Sequence, residues 1–488
     1  MDEHPIIVIG AGTAGSQAAR ALGRAGRSVV LAERDIAGGT CLWRGCVPKK
    51  ALYAAGRVLH QVRDTAIVSI VAADGARETT GRQGSHATAP KDPDWGRTRE
   101  RQVEVMRTYA GDQEGILRDA GVEVVHGAAR FTAPDAVEIG GEVRRAEHIL
   151  VATGARPVIP PLPGGELMDT SDDALFYDEL PAALVVVGGG YVAMEMAAIY
   201  AAFGTEVRVL VRGERVLTGF DPECAAFVVD GLRARGADVR FRTEVREVRG
   251  ARGALTVVTV DGEGRERAFA TERALAATGR RPDLGDLDLA AGGVEVDDRG
   301  RPLLDEDLRS TSNPRVWFAG DAAGGIQLTP VAGHEGRRVA EDILSGRPSG
   351  DRHGAGLSDD TPPPVIPSTC FTVPEVARVG LLESELAARG APYKVARGGF
   401  EYTAQAIIRD ERQGLVKLLF DGDDRLVGGH LAGPSAGELI YALSIAVQAG
   451  ATVADLQRAR AVHPTLAEAI SWAASSPETV APEAEPQG

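Results

Sequence analysis

The chain has 488 residues, of which 44% are hydrophobic and 25% are charged, and its formal net charge is −15. This length predicts two to four domains, and the acidic balance excludes nucleic acid and anionic membranes as general partners. Four cysteines are too few for a secreted disulfide scaffold. Neither a leader nor a run of about 18 apolar residues is visible. We therefore expect a soluble, cytoplasmic protein without membrane contact.

A first nucleotide-binding fingerprint opens the chain. The apolar strand Ile6–Ile9 runs into a G-x-G-x-x-G sequence, a helix of small residues and a second strand at 28–33. Glycines at these positions let a pyrophosphate approach the amino end of the helix. At the end of the second strand, a carboxylate can accept hydrogen bonds from the ribose hydroxyls of FAD or NAD. The candidate binding residues are Gly10, Gly12, Ala14, Gly15 and Glu33.

Two of the cysteines, Cys41 and Cys46, come next and are five positions apart. In a regular α-helix their Cα atoms would be roughly 8–9 Å apart, beyond the ~7 Å limit for a disulfide. The segment is therefore distorted, or the pair does not bridge; Gly45 and Pro48 suit an irregular turn before a helix. The alternatives are two buried thiols or half of a metal site, but no other Cys or His lies nearby. We favour a redox-active pair and expect no metal.

The middle of the chain contains an insertion and several strands that end in small residues. Residues 72–93 are polar and rich in Gly, Thr and Asp, and we expect a mobile surface insertion there. Apolar strands end in small residues at 149–154, 274–279 and 316–321. Such strand ends suit places where a cofactor approaches the backbone.

A second fingerprint follows the strand at 184–187. It contains Gly188, Gly190 and Ala193, and a helix to about residue 203 and a strand at 206–211 come after it. A single G-x-G-x-x-G pattern is weak, but two in one chain, each between a strand and a helix, strongly indicate two dinucleotide-binding units.

The end of the second unit's second strand indicates which nucleotide it binds. The position that matches Glu33 is Val211, and Arg212 and Arg215 lie just beyond it. Because guanidinium groups grip phosphate with charge-assisted hydrogen bonds, we predict NADPH rather than NADH. The alternative is that both arginines are solvated loop charges.

The last part of the chain changes character at about residue 362. Alternating strands at 412–420 and 425–432 precede two apolar helices, which indicates an α+β domain. We expect a linker at 349–364 and a disordered tail at 475–488.

In their order and spacing these motifs resemble the flavoprotein disulfide reductases, the family of glutathione reductase, dihydrolipoamide dehydrogenase and mercuric reductase. The resemblance rests on the two fingerprints, the Cys41–Cys46 motif, two Ala-Thr-Gly strand ends, Gly320-Asp321, and His463-Pro464-Thr465 with Glu468. It implies an α/β fold with two Rossmann-like dinucleotide-binding domains, for FAD and NAD(P)H, and a C-terminal α+β dimerisation domain. The implied boundaries are 1–155 and 281–348 for FAD binding, 156–280 for NAD(P)H binding and 365–474 for dimerisation. It further implies a homodimer with a shared active site.

The resemblance also implies the roles of the catalytic residues. A hydride from NADPH would reduce the flavin, and the reduced flavin would open the Cys41–Cys46 disulfide. Cys46 would face the flavin, and Cys41 would attack the substrate disulfide. An ordinary thiol has a pKa of roughly 8.5, so the attack needs a base. His463 of the partner subunit would take the proton, and Glu468 would orient its ring.

Further residues are assigned by the same resemblance. A lysine after the cysteine motif would pair with Glu195 of the second fingerprint helix; Lys49 and Lys50 are both candidates, and we favour Lys50. Tyr191 would be an aromatic lid over the nicotinamide site. The remaining predicted contacts are Gly39, Thr40, Thr153, Gly154 and Asp321 for FAD, and Gly279 and Arg280 for NADPH. The alternative for the lysine and Glu195 is a solvated surface ion pair. Tyr191 would otherwise be a core aromatic residue, and Asp321 a helix cap.

The chain departs from the family pattern between the cysteines. Trp43-Arg44 stands where relatives usually carry Asn-Val, and Arg44 would lower a thiol pKa, meet an anionic substrate or be simply exposed. Arg20 matches an arginine that contacts a substrate carboxylate in glutathione reductase. A substrate-contacting tyrosine of that enzyme falls near Gln113, so only part of that pocket is retained.

Three functional interpretations follow. The first is an NADPH-dependent reductase of a low-molecular-weight disulfide, similar to glutathione reductase. The second is a dihydrolipoamide dehydrogenase that uses NAD, against which Arg212 in place of an acid argues. The third is a flavin-bearing NAD(P)H sensor or scaffold with little turnover, which would not need the His463–Glu468 pair. We expect Cys224 and Cys370 to be structural, and they leave no cysteine-bearing C-terminal tail.

Overall fold

The computed structural model describes residues 4–64, 94–346 and 365–481. The expected insertion at 72–93 and linker at 349–364 lie outside the described residues. The chain divides into two compact units, residues 1–51, 100–158 and 279–361 in the first and residues 52–99, 159–278 and 362–488 in the second. Within the described ranges, no helix combines the length and apolar character that crossing a membrane requires.

The first strands in the chain are β1 (Ile6–Ile9), β2 (Val29–Glu33), β3 (Val122–His126), β4 (Ala129–Ala133), β5 (Ala136–Ile139), β6 (Glu142–Arg145), β7 (His148–Val151) and β8 (Ala155–Pro157). They are followed by β9 (Ala183–Val187), β10 (Glu206–Leu210), β11 (Asp238–Arg240), β12 (Thr243–Ala251), β13 (Ala254–Asp261), β14 (Glu266–Thr271), β15 (Arg273–Ala276), β16 (Arg280–Pro282) and β17 (Val316–Phe318). The last are β18 (Ser368–Cys370), β19 (Glu375–Gly380), β20 (Tyr393–Gly398), β21 (Leu415–Phe420), β22 (Leu426–Gly433) and β23 (Glu478–Val480).

The helices in the first half are α1 (Thr13–Arg24), α2 (Gly39–Trp43), α3 (Cys46–Asp64), α4 (Trp95–Ala110), α5 (Gln113–Asp119), α6 (Ser171–Ala174), α7 (Tyr191–Phe203) and α8 (Pro222–Ala234). Those in the second half are α9 (Thr329–Ser345), α10 (Glu383–Ala387), α11 (Ala404–Arg409), α12 (Ala436–Gln448), α13 (Val453–Arg458) and α14 (Glu468–Ala473). Short 3₁₀ turns occupy Gly165–Leu167 and Gly320–Ala323.

The first unit is built around a five-stranded parallel sheet in the order β17-β7-β1-β2-β3. Strand β1 is buried along its whole length, as expected for a parallel strand covered on both faces. Helices α1 and α9 pack closely, because a Cβ on Gly336 would lie 2.2 Å from the carbonyl oxygen of Ala14. This unit also contains a three-stranded antiparallel sheet, β4-β5-β6, and a two-stranded sheet, β16-β8.

The second unit contains three sheets, one parallel and two antiparallel. Strands β11-β10-β9-β15 form a parallel sheet, which holds the second fingerprint, and β12-β13-β14 form an antiparallel one. The third sheet has six antiparallel strands in the order β18-β19-β22-β21-β20-β23. These sheets confirm both predicted βαβ units and the predicted α+β character of the last segment. The predicted domain boundaries themselves remain predictions.

The end of the chain corrects one expectation. Residues 478–480 form β23, which pairs with residues 393–395 of β20, so the sequence from 475 is not disordered throughout. Backbone pairing with an existing sheet edge explains this order, because the strand contributes little apolar surface of its own. Residues 482–488 lie outside the described part of the chain.

A buried ion cluster lies in the second unit. The Lys417 ammonium lies 2.7 Å from Asp221, 2.5 Å from Glu223 and 2.6 Å from Glu383, and the lysine and Asp221 are almost fully buried. Burial alone would lower the pKa of Lys417, but its hydrogen bonds to the three carboxylates outweigh this and raise it. The hydrogen bond from Arg397 and the contact with Lys417 lower the pKa of Glu223 to about 2. The cluster ties α8 and α10 to β21.

Candidate active site

The cysteine segment forms two helices with a break between them. Helix α2 ends at Trp43, and α3 begins at Cys46. A Cβ on Gly45 would lie 3.0 Å from the carbonyl oxygen of Thr40, so glycine fits this tight turn. Cys41 is half-buried and Cys46 is exposed. The distortion of the segment, one of the two outcomes that the spacing allowed, is therefore confirmed.

The acidity of the thiols depends on each other and on Thr329. The Cys46 sulfur lies 3.4 Å from the Thr329 hydroxyl oxygen. The hydrogen bond with Cys46, burial and the charge of Cys46 raise the pKa of the Cys41 thiol far above its ordinary value, and Thr329 lowers it. Because two neighbouring thiolates repel each other, the pair retains a proton near neutral pH. Deprotonating Cys41 beside a charged Cys46 requires a separate base.

The side chains between the cysteines contact the loop after β2. The Trp43 indole N–H donates to the carbonyl oxygen of Ala37 over 2.9 Å. The Arg44 guanidinium lies 2.5 Å from the Asp35 carboxylate, and both side chains are exposed. Of the three roles considered for Arg44, this structure displays an exposed surface ion pair. The indole hydrogen bond ties the turn between the cysteines to Ala37.

The first fingerprint has the packing that a dinucleotide site needs. Gly10 has a φ of +103°, and a Cβ there would lie 2.5 Å from the carbonyl oxygen of Ala152. A Cβ on Gly15 would overlap Gly10, at 1.9 Å from its carbonyl oxygen. A Cβ on Gly12 would meet nothing within 4 Å, so a ligand can approach the backbone there. Helix α1 begins directly after it, which places amide donors at this point.

The ribose-binding position is also formed. Glu33 is buried, and its carboxylate accepts hydrogen bonds from the amides of Ala11 at 2.7 Å and Asp35 at 2.9 Å. An ionised carboxylate has about four acceptor sites, so acceptor capacity remains for ribose hydroxyls. Gly39, the first residue of α2, packs against the first fingerprint, because a Cβ there would lie 2.7 Å from the Gly12 Cα atom. The cysteine segment therefore begins beside the dinucleotide site.

The other predicted FAD contacts fit a ligand with hydroxyl and carbonyl groups. The Thr153 hydroxyl oxygen is buried and has no hydrogen-bond partner among the described residues. Burial raises the pKa of Asp321, and the positive charge of Arg280 partly opposes this. Gly154 has a φ of +74° with open space around it, and Ala14 is buried whereas Thr40 is exposed. The orphaned hydroxyl and the half-buried carboxylate suit the polar chain of FAD.

The glycines of the second fingerprint fit their positions for the same reasons as those of the first. Gly188 has a φ of +140°, and a Cβ there would lie 2.2 Å from the carbonyl oxygen of Ala277, whereas Gly190 faces open space. Ala193 is fully buried. Arg212 and Arg215 are exposed beyond β10, and Arg215 donates to the carbonyl oxygen of Thr218 at 3.2 Å. The predicted contacts Gly279 and Arg280 belong to the first unit, where Arg280 donates to the carbonyl oxygen of Ala155.

Glu195 is held by a segment that the sequence did not suggest. Its carboxylate is buried and accepts a hydrogen bond from the amide of Phe371 at 2.9 Å. The neighbouring Cys370 thiol is buried, 3.9 Å from the carbonyl oxygen of Tyr191, and Tyr191 itself is 39% exposed. Lys49 is buried and Lys50 half-buried, and which lysine pairs with Glu195 stays a prediction.

The predicted acid–base residues lie together in the second unit. The His463 Nδ1 atom is 3.0 Å from the Glu468 carboxylate, which also accepts the amide of Thr465 at 3.1 Å. These hydrogen bonds hold the pKa of Glu468 below its ordinary value. The ionised carboxylate therefore selects the tautomer with a proton on Nδ1. The His463 side chain is 72% exposed, so its Nε2 atom is available to another molecule.

Sequence reasoning missed three residues of this site. Thr329 contacts Cys46, Glu335 accepts the amide of Gly320 at 2.7 Å, and Asp35 pairs with Arg44. Only Thr329 had a local signal, because Thr-Pro often begins a helix. Asp221, Glu223 and Glu383 also lie close enough to hold a metal ion, but the Lys417 ammonium contacts all three.

Comparison with known proteins gives consistent matches. Residues 4–336 match the family described as pyridine nucleotide-disulphide oxidoreductase, and residues 366–474 match its dimerisation domain. Glutathione reductase of Burkholderia cepacia is 35% identical over 467 residues, covering 96% of this chain and 97% of that enzyme. Dihydrolipoyl dehydrogenase of Halobacterium salinarum is 32% identical, covering 96% of this chain and 95% of that enzyme.

A solved structure matches over the same length. The HOCl-induced flavoprotein disulfide reductase RclA from Escherichia coli superposes with a TM-score of 0.82 at 26% identity. The match covers 97% of this chain and 99% of that one. The whole fold is thus shared.

Proposed function

The chain belongs to the pyridine nucleotide-disulphide oxidoreductases, as its motifs predicted, and on this premise we propose that it is an NADPH-dependent reductase of a low-molecular-weight disulfide. Enzymes of this family contain FAD and use NAD(P)H, and this chain carries the family's dimerisation domain. The observation that carries the proposal is the break between α2 and α3, which presents Cys41 and Cys46 on either side of one irregular turn.

The thiol chemistry follows from two exchange steps. The first fingerprint, Glu33, Thr153 and Asp321 would hold FAD, which when bound would supply the two-electron chemistry that links the nicotinamide to the Cys41–Cys46 disulfide. The Cys41 thiolate then attacks the substrate disulfide, forms a mixed disulfide and displaces the first product thiolate. The Cys46 thiolate attacks the Cys41 sulfur, restores the internal disulfide and displaces the second product thiolate. One substrate disulfide thereby becomes two thiols.

The protons require a base and an acid at Cys41. Because Cys46 and burial raise the pKa of the Cys41 thiol, little Cys41 thiolate forms unaided. His463, with Nδ1 directed at Glu468, has Nε2 free to accept the Cys41 proton and return it to the first leaving thiolate. In our proposal this histidine comes from the partner subunit of a homodimer.

A homodimer is supported by apolar side chains exposed within the dimerisation segment. Large apolar residues that are more than half exposed are Tyr402, Ile408, Tyr441, Ile445 and Val462. Exposed apolar surface of this kind marks interaction sites. A second copy of this chain is the partner that the family's dimerisation domain indicates.

The choice of NADPH rests on the loop after β10. Val211 is buried where an acid would hold the ribose hydroxyls of NAD, and Arg212 is exposed beside it. Arg212 forms no ion pair within the described ranges, so its charge is available to a ribose 2′-phosphate. The specific alternative is an NAD-dependent dihydrolipoamide dehydrogenase, which the similarity to the Halobacterium salinarum enzyme favours.

The substrate class is tested by steady-state kinetics. Oxidised glutathione, other small thiol disulfides and lipoamide should be compared with NADPH and with NADH. We expect the highest kcat/KM with NADPH and a small disulfide whose carboxylate can meet Arg20, the guanidinium of which has a buried, unbonded Nε atom in the described structure. Preferred reduction of lipoamide with NADH, the reverse of dihydrolipoamide oxidation by NAD, would overturn the proposal in favour of the alternative.

A further inference from the structure

The loops after β10 and β11 are joined at one edge of the parallel sheet. Leu210 and Arg240 are register partners at the strand ends. Beyond them, the amide of Arg242 donates to the carbonyl oxygen of Gly213 at 2.9 Å, and that of Thr243 to Val211 at 3.0 Å. The carboxyl edge of a parallel sheet is where such folds bind their ligands. Arg242 therefore shares this edge with the loop that carries Arg212.

The backbone of Arg242 has an unusual conformation. Its φ is +50°, which is uncommon for a residue with a side chain. Its aliphatic stem passes over Gly262, where a Cβ would lie 3.1 Å from the Cβ atom of Arg242. A glycine would adopt this φ more easily than arginine. Backbone conformations of this kind cluster at functional sites.

The Arg242 side chain already forms an ion pair with a carboxylate of the loop after β10. Its guanidinium lies 2.6 Å from the Glu214 carboxylate, and both side chains are largely exposed. Exposed ion pairs of this kind are weak. A phosphate group carries more charge and more acceptor oxygens than a carboxylate, and guanidinium groups bind it in a forked geometry. A phosphate at this edge would therefore compete successfully with Glu214.

We propose that Arg242 is a specificity-determining residue, which exchanges Glu214 for the 2′-phosphate of NADPH and binds it together with Arg212. This inference rests on the proposed use of NADPH and adds a residue outside the loop from which that use was predicted. Without a 2′-phosphate, as with NADH, Arg242 stays paired with Glu214. The loop then gains no new contact. Glu214 thus sets how strongly the site distinguishes the two coenzymes.

The test compares coenzyme binding in Arg242→Ala, Arg242→Lys and Glu214→Gln variants. Stopped-flow reduction of the bound flavin gives an apparent Kd for NADPH and for NADH without any disulfide substrate. We expect Arg242→Ala to weaken NADPH binding about 10–100-fold and NADH binding less than about twofold. Arg242→Lys should recover part of the loss, and Glu214→Gln should tighten NADPH binding several-fold. Calorimetric titration with 2′-AMP should reproduce this order.

A matched control is Arg249→Ala, which removes an exposed guanidinium from a 2.6 Å pair with Glu247 on β12. This substitution should change the apparent Kd of neither NADPH nor NADH. If the wild type prefers NADPH and Arg242→Ala keeps the same NADPH to NADH ratio, the role of Arg242 is overturned while the use of NADPH stands. If the wild type itself prefers NADH, the proposed coenzyme falls, and the inference falls with it.

Discussion

The sulfur of Cys46 lies 3.4 Å from the hydroxyl oxygen of Thr329, and each residue is the first of its helix, α3 and α9. Helix amino ends carry partial positive charge and favour nearby anions. Two such ends therefore meet at the thiol pair, together with a hydroxyl that can donate to a thiolate. This arrangement favours one ionised sulfur in the reduced pair.

Thr329→Val should make the cysteine pair less acidic, because the Thr329 hydroxyl lowers the pKa of Cys41. We expect the pH profile of Cys41 alkylation by iodoacetamide in the reduced enzyme to move to higher pH. Thr329→Ser keeps the hydroxyl and should reproduce the wild-type profile. Identical profiles for the valine and serine variants would contradict the role of this contact.

His463→Gln should separate the two half-reactions. We expect disulfide turnover to fall about 10²–10⁴-fold while NADPH still reduces the flavin at the wild-type rate. Glu468→Gln should have a smaller effect, because the ring loses its charged partner but keeps Nε2. His126→Gln is a control, since the exposed His126 side chain also faces a carboxylate, Glu114, at 3.2 Å. Loss of flavin reduction in His463→Gln would contradict a role confined to the thiols.

Arg44→Ala distinguishes a surface ion pair from a substrate contact. If Arg44 only pairs with Asp35, stability should fall by less than about 1 kcal/mol, and the KM for the disulfide should change less than about twofold. Trp43→Phe removes the donor to Ala37 and should cost about 1 kcal/mol. Chemical denaturation and steady-state kinetics measure both effects. A tenfold rise in KM for Arg44→Ala would instead assign Arg44 to substrate binding.

The buried ion cluster predicts a loss of stability in acid. The folded-state pKa of Glu223 is about 2 against an ordinary 4.5, mainly because Arg397 and Lys417 bind the carboxylate. A lowered folded-state pKa contributes stability above the ordinary value, and this is lost as the pH falls from about 4.5 towards 2. The melting temperature should therefore fall over this range. In Glu223→Gln this part of the pH dependence should be absent.

Lys417→Met should be much more costly than a surface substitution. It leaves Asp221 buried without its cation, and breaking such a pair costs about 3–5 kcal/mol. Lys394→Met is a suitable control, since Lys394 pairs with Asp424, whose side chain is 44% exposed, whereas that of Asp221 is fully buried. Equal unfolding free energies for the two variants, measured by urea denaturation, would contradict the importance of the cluster.

The sequence predicted those parts of the fold whose signals are local. Glycines at 10 and 188 adopt the positive φ that their turns require, and the apolar runs before them form the buried strands β1 and β9. Strand ends were displaced by a residue or so, as at Val211, which lies just beyond β10. The spacing of Cys41 and Cys46 allowed a distorted segment, and Gly45 and Pro48 indicated the irregular turn that separates α2 from α3.

Long-range contacts could not be predicted in the same way. Thr329 is separated from Cys46 by 283 positions, and Glu195 is held by an amide 176 positions away. Only the packing of helices and sheets brings such residues together. The exposed ion pairs of Arg44 and Arg242 were equally invisible, because an arginine in a loop carries no sign of which carboxylate it will meet. Strand β23 was missed because its order comes from a neighbouring sheet edge.

The central claim is that electrons from the coenzyme reach the Cys41–Cys46 pair. The most direct test is anaerobic addition of NADPH to the oxidised FAD enzyme, followed by iodoacetamide and mass spectrometry of the cysteine peptide. We predict that Cys41 and Cys46 are protected before NADPH and alkylated after it, and that Cys41→Ser retains flavin reduction without disulfide turnover. If NADPH bleaches the flavin while both cysteines react equally before and after its addition, the disulfide mechanism is wrong.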